Sequence, residues 1–276
     1  MKKILYTFFF VVLTAVCVGQ NELSIISFNI RLGSAWANDG DNDWEHRRQA
    51  VAEMLLKERP DAVGMQEALP NQTAYLDSAL RADYSRIGVG RDDGAGEGES
   101  MCIYYRRDRL ELLEWRTRWL SATPDSVSFG WDAACRRTVT IARFRDKATG
   151  KEFLYLNTHL DHVGQTARRE SVKLLCHWAD EFGRDCPVIV GGDMNSPLTD
   201  DIFQPLAAHN LRSARDIAPS TDRRDTYNAF GKEATACIDH FFVRDCTPVS
   251  FQVLTGDYGV PYVSDHYPVS MRLSLY

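Results

Sequence analysis

An α+β layered domain, two β-sheets packed face to face with helices on the outside, is the fold this 276-residue sequence predicts. Three observations lead there. Apolar runs of strand length recur from residue 23 to residue 273, several of them close enough in sequence to pair as hairpins. Only two segments carry the 3.6-residue periodicity of a helix. No repeat, low-complexity stretch or linker interrupts the series, so one large domain with its own core accounts for the chain.

The elements follow in order. Residues 23–30 read as a strand. Trp44–Glu58 reads as a helix with Trp44, Val51, Met54 and Leu55 on one face, ended by Pro60. Ala62–Gln66 is a second, buried strand. Residues 101–105, 110–120 and 138–144 read as antiparallel strands, and a turn at Ala148-Thr149-Gly150 leads into a strand over 153–157. Gln165–Phe182 is an amphipathic helix with Val172, Leu175, Cys176 and Ala179 inward. Strands recur at 188–190, 238–243, 249–254 and 269–273.

Ahead of the domain, residues 1–20 have a secretory signal's form: Lys2 and Lys3, an apolar stretch too short to span a bilayer, then small residues near Cys17 and Gly19. The expectation is a leader over 1–20 and a mature domain over 21–276, exported to a periplasm or the extracellular space. Lipid attachment at Cys17 is the minor alternative, since Val16 suits that processing poorly. The formal charge goes from −6 to −8 on losing Lys2 and Lys3. A net-acidic domain lacks the broad positive field that holds long duplex DNA, which argues against a processive duplex nuclease but not against a small phosphate ester. The seven cysteines show no CxxC pair or disulfide-framework spacing.

Polar clusters stand at the strand ends. Gly191-Gly192-Asp193-Met194-Asn195 follows the apolar Val188-Ile189-Val190, and Asp193 and Asn195, two residues apart, leave the same face. A carboxylate and an amide held there can orient one water or one hard cation. Asn29 follows Ile25-Ile26-Ser27-Phe28, Glu67 follows Val63-Gly64-Met65-Gln66, Asn157 and His159 follow Phe153-Leu154-Tyr155-Leu156, and Asp265-His266 precedes the last strand. Asp239, after Ile238, adds another carboxylate within a strand.

Ser-Phe-Asn29-Ile, Met-Gln-Glu67, Asn157-Thr-His159-Leu, Gly-Asp193-Met-Asn195, Ile-Asp239-His and Ser-Asp265-His266-Tyr-Pro stand in the order found in the endonuclease/exonuclease/phosphatase superfamily, which the whole mature chain resembles. The resemblance implies a four-layer α/β/β/α, DNase I-like sandwich and divalent-metal phosphoester hydrolysis. It implies Mg²⁺, with Mn²⁺ able to substitute, held by Glu67 with Asn29 and Asp265. Asp193 and Asn195 would orient the attacking water or hold a second ion. His266 would act as general base, its imidazole held by Asp239. His159 would support charge on a phosphate oxygen, oriented by Glu99 or by its neighbour Glu97, with Asn157 touching the phosphate. The chemistry asks for such groups, because phosphoryl transfer needs positioning and charge neutralisation more than covalent help.

Three further features are candidates for substrate contact. The loop Gly130-Trp131-Asp132-Ala133-Ala134-Cys135-Arg136-Arg137 can bring Trp131 and Arg136 over a base, sugar or second phosphate, as readily as Trp131 can pack on the sandwich edge. Arg169, in the pair Arg168-Arg169 at a helix start, can face phosphate or simply be solvated. Thr226, in Asp225-Thr226-Tyr227, resembles a phosphate-contacting segment of the family. The expected substrate is a phosphoester such as a nucleotide, an RNA end or a sugar phosphate, with no stable protein partner and a monomeric state. Two rival readings remain: a metallo-β-lactamase-like zinc hydrolase, from Asn157-Thr-His159-Leu-Asp161-His162, and a non-catalytic binding protein on the same fold.

Overall fold

The computed structural model describes residues 22–232 and 235–275; the expected leader lies outside them. In chain order the elements are β1 (Glu22–Asn29), α1 (Trp44–Glu58), β2 (Ala62–Gln66), α2 (Pro70–Ala79), β3 (Tyr84–Ile87), β4 (Ile103–Arg106), β5 (Leu110–Trp119), β6 (Thr138–Asp146), β7 (Glu152–His159), α3 (Gln165–Phe182), β8 (Val188–Asp193), α4 (Gln204–Ala208), β9 (Arg212–Ser213), α5 (Ala214–Ile217), β10 (Ser220–Thr221), β11 (Asp239–Arg244), β12 (Cys246–Val253) and β13 (Val269–Leu275). Among the described residues no helix is long and apolar enough to cross a membrane.

The strands form two mixed sheets, one of seven strands in the order β10-β12-β13-β1-β2-β4-β3 and one of six in the order β5-β6-β7-β8-β11-β9. Side-chain alternation divides the apolar residues among three cores, and three cores separate four layers. Ile25 of β1, Phe153 and Tyr155 of β7 and Ile189 of β8 pack between the sheets. Ile26 and Phe28 of β1 face the other way and meet Trp44, Val51, Met54 and Leu55 of α1. Leu154, Leu156, Val188 and Val190 meet Val172, Leu175 and Trp178 of α3. The α/β/β/α sandwich is therefore observed, and the central strands read as unbroken apolar runs because both faces are covered.

The helices α1 and α3 and the strand β2 have the expected bounds. Helix α2 and strand β3 were not foreseen. The inward face of α2 carries Gln72 and Thr73 beside Leu76, so its apolar periodicity is weak. Gln72 instead supports the chain by hydrogen bonding, its Oε1 accepting from Gly33 N at 2.8 Å and Leu69 N at 3.1 Å.

Two registers position the chemistry. The parallel β7–β8 pair sets His159 opposite Asp193, and the antiparallel β8–β11 pair sets Asp193 opposite Asp239. In the other sheet β1 and β2 run parallel with Asn29 opposite Gln66. A side chain at position 64 would collide with the Tyr155 hydroxyl and Asn157 of the facing sheet, so Gly64 lets the sheets approach just behind these strand ends.

Candidate active site

At the strand ends lies a cavity of about 480 Å³ whose walls include Glu67, His159, Asp193, Asn195, Asp265 and His266. Asn29 ties the two sheets together at its floor: its Nδ2 donates to Glu67 Oε1 and to Asp193 Oδ2, each at 3.0 Å. Glu67 Oε2 accepts from Leu32 N at 2.9 Å. Arg31, Glu67 and Asn195 all hold left-handed backbone conformations, with φ of 56°, 63° and 48°. Non-glycine residues at such angles cost on the order of 1 kcal/mol each, and the surrounding bonds hold them there.

Asp193 is buried at the centre of the carboxylate and histidine groups. Its Oδ1 accepts from Asn195 N at 2.9 Å, while Oδ2 lies 3.3 Å from His159 Nε2 and 3.7 Å from His266 Nε2. Gly192, at φ 150°, packs against the Thr158 carbonyl so tightly that no side chain fits, which lets β8 deliver Asp193 beside β7. Burial, with help from the nearby Asp239 charge, pushes the Asp193 carboxyl up to about 7. Asn195 Nδ2 reaches both His159 Nε2 and the Leu160 carbonyl at 2.9 Å. Burial holds the His159 imidazole well below its ordinary range, and the Arg137 and Arg91 charges press it in the same direction.

His266 is built differently. Its Nδ1 meets Asp239 Oδ2 at 2.8 Å, so a carboxylate faces each ring nitrogen. Burial opposes the charged ring, but the Asp239 and Asp193 charges outweigh it and raise the imidazole to about 10. Tyr227 packs against this ring with centroids 5.0 Å apart. Asp239 is itself placed by Thr226, whose Oγ1 accepts from the Ile238 and Asp239 amides at 3.1 Å. Asp193, Asp239 and His266 bring one ligand atom each within 4.8 Å, an acidic and histidine group able to hold a metal ion. Glu67 and Asp265 line the same cavity and add hard oxygen donors, the set that suits Mg²⁺, Ca²⁺ or Mn²⁺. Asp265 is raised chiefly by its burial and further by the neighbouring Glu67 charge.

Five expected substrate contacts lie elsewhere. Asn157 is fully buried between the sheets, where Nδ2 donates to the Met65 and Cys102 carbonyls and Oδ1 accepts from Gln66 Nε2 at 2.7 Å; it is a tie between the sheets and cannot touch phosphate. Trp131 is 44% exposed and stands outside the cavity wall. Arg136 points away, its guanidinium over the Phe129 ring and beside Asp92. Arg169 pairs with Asp201 on the exposed side of α3. Thr226 is buried and acts on Asp239 rather than on substrate. Glu99 lines the cavity but pairs with Arg91 at 2.6 Å, and His159 Nδ1 has no partner, so the expected Glu99–His159 bond is absent. The zinc-hydrolase reading lacks its first ligand, because Asn157 faces the core; Cys135, Asp161 and His162 bring one ligand atom each within 4.8 Å, but both Asp161 oxygens already accept hydrogen bonds.

Sequence reasoning missed Arg31, Arg91, Arg137, Tyr227 and Trp36, all on the cavity wall. Arg137 was the legible one: it adjoins Arg136 at the start of β6, and adjacent residues of an extended chain point to opposite sides. Its mount is Asp161, 1% exposed, whose Oδ1 accepts from Ala134, Val163 and Gly164 N and whose Oδ2 accepts from Cys135 N and Arg137 Nε.

Burial alone would raise the Asp161 carboxyl, but these amides and the Arg137 charge hold it below its ordinary value. A depressed native pKa gives stability that is present above the unfolded value of about 4 and lost as pH falls below it. Asp161→Asn, which sets an amide against Cys135 N and Arg137, is expected to cost about 3 kcal/mol. Thermal melts at about pH 7 and about pH 3 check this: the gap between wild type and variant should narrow in acid, and an equal gap at both would refute the charge argument.

Residues 26–266 match the endonuclease/exonuclease/phosphatase family profile. An endonuclease/exonuclease/phosphatase from Bacteroides vulgatus is 36% identical, with a TM-score of 0.87 over 92% of this chain and 99% of that one. The mannosyl-6-phosphatase of Bacteroides thetaiotaomicron VPI-5482 is 33% identical, with a TM-score of 0.86 over 92% of this chain and all of that one, 100%. Drosophila melanogaster Nocturnin is 27% identical over 180 residues; the match takes in 61% of this chain and only 26% of that longer protein. The fold and site define a phosphoester hydrolase framework of the DNase I-like type. The chain belongs to the endonuclease/exonuclease/phosphatase family.

Proposed function

We propose that this protein is an exported, Mg²⁺-dependent phosphoesterase that releases phosphate from a small sugar phosphate, with Mn²⁺ able to replace Mg²⁺. The observation that carries the reading is the buried row Asp239–His266–Asp193 opening into the same cavity as Glu67 and Asp265. Glu67 and Asp265, with Asn29 behind them, are the residues to hold the ion. When bound, the ion neutralises charge on the phosphoryl oxygens and polarises the scissile bond.

The chain's own groups supply the rest. Asp193 takes the proton of the attacking water, and Asn29 and the Asn195 amide fix the carboxylate that does so. His266, expected as the base, has the opposite character: with a carboxylate at each ring nitrogen it stays protonated and donates from Nε2 toward the phosphoryl group. Asn195 and His159 complete the wall at hydrogen-bond distance from each other.

A cavity of about 480 Å³ on a net-acidic chain supports a small substrate over a long nucleic acid. The likeness to a mannosyl-6-phosphatase over nearly the whole chain supports a sugar phosphate among small substrates. The test follows release of inorganic phosphate from mannose 6-phosphate and p-nitrophenyl phosphate, and shortening of single-stranded RNA on a gel, with Mg²⁺, Mn²⁺ or EDTA. EDTA-sensitive release from the hexose phosphate is the expected result. Cleavage of RNA with the hexose phosphate untouched would overturn the substrate, and ligand binding without any turnover would favour a non-catalytic binding protein.

A further inference from the structure

We propose that Arg91 and Arg137 form an anion-holding wall that takes the third non-bridging oxygen of a terminal phosphate, making the site select monoesters over diesters. The inference rests on the phosphoesterase reading and adds the residues that would make the site prefer a monoester. Both arginines line the catalytic cavity, and both bear on His159, whose imidazole their charges help to keep neutral. Both are nine-tenths buried or more, and burying a guanidinium is costly unless its donors are met.

Their donors are only partly met. Arg91 uses Nη2 on Glu99, but its Nη1 is buried without any partner. His159 Nδ1, on the same wall, is likewise unpartnered. Arg137 donates Nε to Asp161, a carboxylate already accepting four backbone N–H groups, and sets Nη2 against His162 Nδ1 at 2.9 Å.

The wall is also held in place. The Arg91 amide donates to the Glu99 carbonyl at 3.0 Å, and its carbonyl accepts from Trp119 Nε1 at 2.8 Å. Asp132 Oδ1 accepts from Ala167 N at 2.7 Å, which fastens the loop before Arg137 to the start of α3.

A phosphomonoester brings two negative charges and three free oxygens to such a wall, matching planar guanidinium donors. A diester brings one charge, and its second ester group stands where the third oxygen would accept. That leaves buried donors unpaired, the condition under which binding sites discriminate most strongly.

The test compares kcat/KM on p-nitrophenyl phosphate and bis-p-nitrophenyl phosphate, with Mg²⁺, for wild type, Arg91→Gln and Arg137→Gln. Loss of a charged hydrogen bond predicts a fall of roughly 10–100-fold on the monoester. The diester should be affected far less, so the monoester-to-diester ratio collapses. Arg169→Gln, on the exposed side of α3, should leave the ratio unchanged. Calorimetric titration with inorganic phosphate should show weaker binding in both cavity variants. Parallel losses on the two esters, or an unchanged ratio, would overturn the proposal; diester turnover also reports whether Arg137→Gln has folded. Should wild type turn over neither ester, the phosphoesterase reading itself falls. Phosphate binding then decides the arginines separately, with unchanged affinity in the variants refuting their role.

Discussion

Asp193→Asn is expected to lower kcat about 1,000-fold, within the range of general acid–base catalysis, while leaving the melting temperature of the metal-free protein equal or higher. The two halves of this result come from one cause. Asp193 is buried among Asn29, His159 and His266, where its charge is costly, and the Asp239 charge nearby adds to the cost. A neutral amide of the same shape avoids that cost and still accepts the Asn195 amide through its oxygen, and the relief of the buried charge is set against an NH₂ that now faces the Asn29 Nδ2 and His266 Nε2 donors. It cannot take a proton from water. Steady-state rates on p-nitrophenyl phosphate, with thermal melts of the same samples, separate the outcomes. A rate within tenfold of wild type would remove Asp193 from the base role. A lower melting temperature alongside the lost rate would make the residue structural. Stability gained on disabling a strained or charged site is the usual trade between function and folding.

What the sequence revealed followed from local pattern, and what it hid depended on depth and direction. Helices α1 and α3 showed their inward residues at helical spacing, whereas α2 turns polar Gln72 and Thr73 inward and left no such trace. The acidic and histidine groups were legible because each caps an apolar strand, and strands covered on both faces end abruptly in polar residues. Depth was not legible. Asn157 and His159 leave the same side of β7, two residues apart, yet one is sealed between the sheets and the other lines the cavity. A step of two residues is about 7 Å along a strand, enough to pass from core to site. Direction failed at Arg136 and Arg137, where adjacent positions face opposite ways. Arg31 and Arg91 sit in irregular segments where no period applies, so the cavity's positive wall had no pattern to announce it.

Glu67→Gln should weaken Mg²⁺ or Mn²⁺ binding about 100-fold and cut turnover at any fixed metal concentration below saturation, with the fold intact. Glu67 stands directly after β2 at φ 63°, an angle a glutamate adopts only when its surroundings hold it. Those surroundings are the Leu32 amide on one carboxylate oxygen and the Asn29 amide on the other. Glutamine keeps an oxygen for Leu32 N but sets its NH₂ against Asn29 Nδ2, which is held by Asp193 Oδ2 and by the Arg31 amide on its oxygen, a local loss of about 1 kcal/mol that leaves the fold in place. The lost charge is what an all-oxygen site needs to strip water from a hard cation. Calorimetric metal titration of the two proteins reads this directly, and saturating Mn²⁺ distinguishes its causes. Turnover that recovers at high metal assigns Glu67 to holding the ion. Turnover that stays lost while binding is restored would place Glu67 in contact with the reacting group instead. Unchanged metal affinity would move the ion away from Glu67 and toward the Asp193, Asp239 and His266 group.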